Sequence, residues 1–392
     1  MRPSACLAGL GSVWGTHSLA QDLDARAAAK AAIDAMNSQF YSPAQAIWSP
    51  SDPWWLSGVA LTGVLDFMCK TNTNDYMEQA KEIIRVQRSQ WPSGGGDFRA
   101  ESTDDTGWWA LAMVRMYDIT KDTTYLDIAV EDEAYMYQSW TASPCGGGMY
   151  VDIKAKTYKN AIANELYTKL AASLHNRIPN DTMYLERAKT AWSWFQASGM
   201  INSANLVNDG LASSASGTCS NNNLPVWTYN QGVILGAAVG PSPLLPSPTP
   251  SLSNTNLPEL YHATASTTYL TTARTIADAV LAPSSPLITN TNPATLTESS
   301  CQPDERSGCN NDQQSFKGIF AYHLAELDDA LPDGSHPYRG FLRQNARATY
   351  ENARGKGGDL YDVSWTGEGG FGIRRLRSRL VLWGCWLGVF EW

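Results

Sequence analysis

Two kinds of helical segment alternate along most of the chain, and that alternation limits the fold more than any other feature of the sequence. One kind opens on a recurring phrase, an aromatic residue followed by apolar or small residues at helical spacing and then a basic or polar one. The copies are Tyr76-Met77-Glu78-Gln79-Ala80-Lys81, Tyr125-Leu126-Asp127-Ile128-Ala129, Tyr184-Leu185-Glu186-Arg187-Ala188-Lys189 and Tyr269-Leu270-Thr271-Thr272-Ala273-Arg274, with Phe341-Leu342-Arg343-Gln344-Asn345-Ala346 as a looser fifth. Each begins an amphipathic helix with one charged face. Between them lie segments 56–69, 108–117, 161–174, 229–239 and 315–327, nearly all apolar and small, which predicts helices buried on most sides. With a first helix over 24–40, eleven helices are expected. Buried and amphipathic helices in strict alternation imply an inner ring wrapped by an outer one, an all-α, (α/α)6 toroid. β-Hairpin signals are scarce, and the six prolines of 240–258 mark a surface loop rather than a linker, so residues 21–370 are expected to form one domain.

Charge narrows the partners. The 392 residues carry 38 acids against 29 bases, a formal charge of −9, which argues against nucleic acid. Fifteen tryptophans are an unusual share, expected in a Trp-rich core or as platforms that stack on flat ligand faces such as sugar rings. The seven cysteines, at 6, 69, 145, 219, 301, 309 and 385, show no CxxC spacing, and no metal or other cofactor is implied. The close pair Cys301 and Cys309 is the expected disulfide.

In such a toroid the N-terminal ends of the inner helices converge on one face, where their dipoles favour negative charge. The unusual polar residues fall there: Trp54-Trp55, Asp104-Asp105-Thr106-Gly107-Trp108-Trp109, Asn160 with Asn164-Glu165, Trp227-Thr228-Tyr229-Asn230-Gln231 and Asp312-Gln313-Gln314-Ser315-Phe316-Lys317. Five loops contribute, as a shared cleft requires. Adjacent carboxylates at a cleft mouth raise one another's pKa and leave an acid beside a base or nucleophile, the requirement of glycoside hydrolysis. The same pair could instead cap the helix and complement its dipole. Trp108 and Trp109, three and four positions on, lie on the face of the Asp pair and can line the same site. The third acid of DDxxD is absent, as are HExxH, GxSxG and a P-loop. His323, inside an inner helix, reads as a core residue.

Asp104-Asp105-x-x-Trp108-Trp109, Cys145-Gly146-Gly147-Gly148, Lys159-Asn160-Ala161-Ile162-Ala163-Asn164-Glu165-Leu166, Trp227-Thr228-Tyr229-Asn230-Gln231-Gly232 and Ser315-Phe316-Lys317-Gly318, in this order between about residues 39 and 365, together resemble glycoside hydrolase family 76, the endo-α-1,6-mannanases and related fungal cell-wall proteins. The resemblance implies an (α/α)6 barrel that cleaves α-1,6-mannan with retention, Asp104 as nucleophile and Asp105 as general acid/base. The residues alone assign the pair without ordering it. It further implies that Trp54, Trp55, Trp108 and Trp109 stack on mannose rings, and that Asn164, Asp209, Tyr229, Asn230, Gln231, Asp312 and Lys317 hydrogen-bond sugar hydroxyls. After the glycine-rich run, Met149-Tyr150-Val151-Asp152 stands where family members often carry Trp, so one sugar platform is expected to be either absent or replaced by Tyr150. Two other readings are a cell-wall mannan transglycosidase, and a glycan-binding protein without turnover.

Residues 1–20 read as a secretory signal ending in Ser18-Leu19-Ala20, and Asn180-Asp181-Thr182 is a sequon, so a secreted or cell-wall glycoprotein is expected. No stretch approaches a membrane span, and without coiled-coil heptads a monomer is expected. Residues 371–392, basic and then Trp- and Gly-rich, form an atypical tail that departs from the alternation, as a misread exon would.

Overall fold

The computed structural model describes residues 24–90, 97–214, 217–239, 259–301, 308–332, 334–355 and 358–366. The signal, the proline-rich loop and the tail read from the sequence lie outside these residues. The helices are α1 (Ala25–Phe40), α2 (Trp55–Thr71), α3 (Met77–Gln90), α4 (Thr103–Thr120), α5 (Thr123–Tyr137), α6 (Ala161–His175), α7 (Met183–Ala197), α8 (Thr228–Ala238), α9 (Leu260–Thr264), α10 (Thr267–Leu281), α11 (Phe316–Ala330) and α12 (Arg339–Ala348). Apart from the single turn α9, these are the eleven expected helices, with ends shifted by a few residues. Two short antiparallel pairs, β1 (Tyr41–Ser42) with β2 (Ile47–Trp48) and β3 (Leu211–Ser213) with β4 (Cys219–Asn221), a 3-10 turn at Gln313–Ser315 and a π-helical segment at Thr349–Ala353 complete the regular structure of the described residues.

The inner ring runs α2–α4–α6–α8–α11, each packed on the next, and α1, α3, α5, α7, α10 and α12 lie outside it. This is the (α/α)6 toroid. Burial explains the division. Every residue of α6 from Ala161 to Leu174 is buried, whereas α1 buries only Ala25, Ala28, Ala29, Ala32, Ile33 and Met36, a single stripe at helical spacing. Small residues let the inner helices close up: a Cβ on Gly232 of α8 would lie 2.6 Å from the Phe320 Cα of α11. Because an outer helix returns the chain between successive inner ones, the inner helices are parallel and their N-termini share one end of the barrel.

At the opposite end, ion pairs link the C-terminal halves of the inner helices and the segments that follow them. Arg115 of α4 pairs with Asp66 of α2, and Arg177 joins Asp118 (2.7 Å) to Glu259 (3.5 Å). Lys169 of α6 reaches Glu326 of α11 at 2.8 Å, and Glu326 also meets the Nδ1 of His323 at 2.6 Å. His323 is thus a core residue, as read, and burial beside Lys169 pushes its pKa down to about 4.

Candidate active site

Asp104 and Asp105 occupy the first turn of α4. Neither is its N-cap. That position belongs to Ser102, whose hydroxyl turns away from the helix amides and donates to Asp104 Oδ1. The approach to the turn is fixed on both sides. The Thr103 N–H donates to Val151 O at 2.7 Å, and the Thr103 hydroxyl donates to Tyr150 O at 3.0 Å. The Ala100 N–H donates to the Thr106 hydroxyl at 2.9 Å.

The two carboxyls are unequal. Burial raises the pKa of Asp104, opposed by the Ser102 hydroxyl and by the backbone N–H groups of Asp104 and Asp105. Asp105 is raised well above the ordinary value by burial first and then by the charges of Asp104 and Asp312, with no such donors opposing them. Residues adjacent on a helix diverge by about 100°, so the two carboxyls leave the turn in different directions.

Around the pair stand Asp312 and Tyr229, whose phenol is raised by burial and by the charges of Asp209, Asp104, Glu165 and Asp312. Tyr229 is stacked flat on Phe316, with centroids 3.7 Å apart. Trp55 donates its indole N–H to Asp312 Oδ1 at 3.1 Å and stacks on Trp108 at 5.4 Å. Asp209 accepts from the Tyr158 hydroxyl at 2.5 Å and from the Trp227 indole, and burial still raises its pKa. Asp104, Asp105, Asp209, Asp312, Tyr229, Trp55 and Trp108 thus come together from four inner-helix starts, those of α2, α4, α8 and α11, and their loops.

Most of the other expected ligands contact the scaffold. Trp54 and Trp109 do not face a ligand: they stack on each other at 4.9 Å and on Phe98, Trp109 is fully buried, and the Trp54 indole donates to Gln87. Asn164 receives the Met149 N–H at 2.7 Å and donates to Met149 O and Asn160 O. Gln231 brackets Val207 in the same way, accepting its N–H at 2.7 Å and donating to its carbonyl at 2.8 Å. Lys317, fully buried, donates to Val363 O at 2.6 Å and lies over the Trp365 ring. Each ties an incoming loop to an inner helix. Asn230 is fully buried with an unpaired side-chain amide.

The glycine-rich run is structural too. A Cβ on Gly147 or Gly148 would fall 2.5 or 2.2 Å from the Trp194 indole, and Lys159 gathers the carbonyls of Thr141, Pro144 and Gly147. Tyr150 is buried, with the Lys159 ammonium 4.9 Å over its ring.

The expected disulfide Cys301–Cys309 is present, and a second, Cys145–Cys219, ties the glycine-rich run to β4. Sequence spacing could not pair the latter. Glu165 was passed over as a site residue. It is fully buried, both its oxygens lack a hydrogen bond, and burial with the charge of Asp209 raises its pKa strongly. Its signal was a lone acid in the otherwise uncharged start of an inner helix. Among the described residues, one group of metal-ligand type converges, Asp328, Asp329 and His336, and Arg339 fills it, 3.3 Å from Asp329 and 2.8 Å from His336 Nδ1. No helix among the described residues is long and apolar enough to cross a membrane.

Known proteins resemble this chain in sequence and in fold. The mannan endo-1,6-alpha-mannosidase DFG5 of Candida albicans is 24% identical over 337 residues, covering 80% of this chain and 67% of that protein. Its namesake in Saccharomyces cerevisiae is 26% identical over 353 residues, 83% and 69% of the two chains. The structure of the GH76A alpha-1,6-mannanase from Salegentibacter sp. HEL1_6 matches with a TM-score of 0.76 at 23% identity, over 93% of this chain and 99% of that one. An inactive variant of that mannanase, with two consecutive aspartates replaced by alanine, has been solved with alpha-1,6-mannotetrose and matches at 0.77 and 22% identity, over 93% and 98% of the chains. Residues 24–240 and 257–379 match the model of Glycosyl hydrolase family 76. With a toroid whose inner-helix ends gather consecutive aspartates and most of the chain matched, this protein belongs to glycoside hydrolase family 76.

Proposed function

We propose that the chain is a retaining, endo-acting hydrolase of α-1,6-linked mannan, with Asp104 as nucleophile and Asp105 as general acid/base. The observation that carries the order is the inequality of the two carboxyls. Burial raises Asp104, but the Ser102 hydroxyl and the helix amides oppose that rise and favour its anion, while Asp105 is raised well above the ordinary value by burial and by Asp104 and Asp312, without such donors. Asp105 would give its proton to the glycosidic oxygen as Asp104 attacks the anomeric carbon. The departure of the leaving sugar and the neutralisation of Asp104 in the glycosyl-enzyme both lower the Asp105 pKa, so Asp105 then takes a proton from water. Trp55 and Trp108 offer aromatic faces to mannose rings, and Asp209, Asp312 and Tyr229 offer partners to its hydroxyls.

The inactive two-aspartate variant of the Salegentibacter enzyme, bound to alpha-1,6-mannotetrose, supports both the pair and the substrate. The fungal mannosidases similar to this chain support action outside the cell, at the wall. All of this is carried by one unit over residues 21–370, acting as a monomer.

The test is linear α-1,6-mannan with wild type, Asp104→Asn and Asp105→Asn, following product length and anomeric configuration. Short α-configured products from wild type alone support the proposal. An activated aryl mannoside adds a sharper arm, because it needs no acid to leave. Asp105→Ala should cleave it and, with azide, give the α-configured mannosyl azide, whereas Asp104→Ala should give with azide only the inverted, β-configured one. Rescue in the reverse order would exchange the roles, and products longer than the substrate would indicate transfer to an acceptor sugar.

A further inference from the structure

On the outer wall, α5 and α7 leave a groove of about 390 Å³ lined by Tyr137, Trp140, Tyr167, Thr182, Met183 and Arg187. Tyr137 and Met183 are 37% and 47% exposed, two of the three large hydrophobic side chains exposed among the described residues. Exposed apolar surface concentrated in one concave place marks a contact site. The groove is also preorganised. Tyr137 stacks on Tyr167 at 5.9 Å, the Arg187 guanidinium lies 3.9 Å from the Tyr137 ring centroid, and Glu133 receives both Arg187 (2.7 Å) and the Tyr167 hydroxyl (2.7 Å). Aromatic rings beside a fixed guanidinium and threonine hydroxyls suit a pyranose, which has apolar C–H faces and a polar rim.

The chain itself brings a place of attachment. Asn180-Asp181-Thr182 is the sequon, and its Thr182 already lines the groove. Asn180 is exposed at φ +60° in the turn between α6 and α7. Asp181 holds that turn rigid, accepting the N–H groups of Met183 (3.0 Å) and Tyr184 (3.1 Å) and meeting His175 Nδ1 at 3.0 Å. Two peptide units put the Cα of Asn180 within about 7.6 Å of that of Thr182, inside the reach of the first sugars of an attached chain.

We propose that Asn180 is an N-glycosylation site and that the first sugars of its glycan lie in this groove, their apolar faces against Tyr137 and Trp140. In the modification, the Asn180 amide nitrogen attacks the anomeric carbon of a lipid-pyrophosphate-linked oligosaccharide. A C–N bond replaces the anomeric C–O bond, the lipid pyrophosphate leaves, and the amide loses one proton. Nothing is oxidised or reduced. The inference requires passage through a secretory compartment and is independent of which aspartate is the nucleophile.

The experiment uses the full chain secreted from a eukaryotic host. Glycopeptide mass mapping should find Asn180 occupied, occupancy should vanish in Asn180→Gln and Thr182→Ala, and it should persist in Thr182→Ser. Hydrogen exchange over 134–141 and 182–190 is then compared before and after the whole glycan is trimmed from the folded protein by a peptide N-glycanase, which leaves Asp at position 180 and avoids any dependence of folding on the glycan. Trimming should speed exchange several-fold in both segments of the wild type and leave Tyr137→Ser unchanged. Secreted protein with Asn180 unmodified, or an occupied Asn180 whose trimming changes neither segment, overturns the proposal. So does protection of these segments by free α-1,6-mannotetraose in unglycosylated protein when the attached glycan gives none, which would assign the groove to polysaccharide.

Discussion

Replacing Ser102 by Ala tests the proposed division of labour between the two aspartates with one atom. Ser102 stands at the N-cap of α4 with extended backbone angles, but its hydroxyl caps no amide and donates instead to Asp104. The substitution therefore removes a donor to the nucleophile without the usual loss of a capping bond. A hydrogen bond to a charged group contributes about 1.5–3 kcal/mol, and at about 1.36 kcal/mol per pKa unit its loss raises the Asp104 pKa by about 1–2 units. Burial already holds that pKa above 3.8, so the shift is further upward. Since the reaction needs Asp104 ionised, the acidic limb of kcat/KM against pH should move up by the same about 1–2 units. The basic limb, which reports loss of the Asp105 proton with Asp104 already charged, should stay in place. Ser102→Thr should retain the wild-type profile. The assay is kcat/KM on α-1,6-mannotetraose from acid to neutral pH. An acidic limb unmoved in Ser102→Ala, or a basic limb that moves in its stead, would refute Asp104 as the group that must be ionised.

Three further outcomes follow from the same geometry. Asp105→Asn should abolish hydrolysis yet raise the unfolding temperature at pH 7. A carboxyl whose folded pKa is raised contributes fully below the unfolded value of 3.8 and loses that contribution as pH rises through the folded pKa, so the gain should shrink towards pH 3.8 in melts taken across pH. Trp109→Ala should cost about 3–5 kcal/mol in urea unfolding, whereas Trp55→Ala should act mainly on KM for mannotetraose, about tenfold for a stacking loss of about 1.4 kcal/mol; equal stability losses would contradict the assignment of one ring to the core and the other to the cleft. Removing Cys145–Cys219, whose ends are 74 positions apart in sequence, should cost about 4.5 kcal/mol against about 2.5 kcal/mol for Cys301–Cys309, 8 positions apart, as read by denaturant midpoints of the Ser pairs.

The toroid was legible because the inner helices are buried on nearly all sides, which erases amphipathicity and makes them unlike their neighbours in composition. Fourteen successive buried residues in α6 have no other reading in an all-helical chain. The phase of those helices was not legible. Of Trp54-Trp55 and Trp108-Trp109, neighbours in sequence diverge by about 100° and only one of each pair can face the cleft; Trp55 and Trp108 do, while Trp54 and Trp109 pack with Phe98. Polar residues at helix starts misled for a related reason. Loops that descend onto a fully buried helix bring backbone groups that need partners, and Asn164, Gln231 and Lys317 supply them to Met149, Val207 and Val363. Such residues look like ligands in sequence because they occupy the same ends of the same helices as the ligands do.

The two ends of the barrel treat buried acids in opposite ways, and the contrast bears on function. At the C-terminal end of the inner helices the carboxylates meet cations: Asp66 meets Arg115, Asp118 meets Arg177, and Glu326 meets Lys169 with its pKa drawn down to about 2. Breaking such a pair from one side costs about 3–5 kcal/mol, so these residues hold the inner ring in register. At the N-terminal end the charges acting on Asp104 and Asp105 are those of other carboxyls, and relief comes from one hydroxyl and the amides of a helix start. A protein that paired every acid with a cation would be more stable there and would lose the raised pKa that Asp105 keeps. The paired floor supplies the stability that lets the cleft keep its carboxyls unpaired, and the cleft is where a bound sugar, bringing hydroxyls and a basic glycosidic oxygen, would find the partners that the fold withholds.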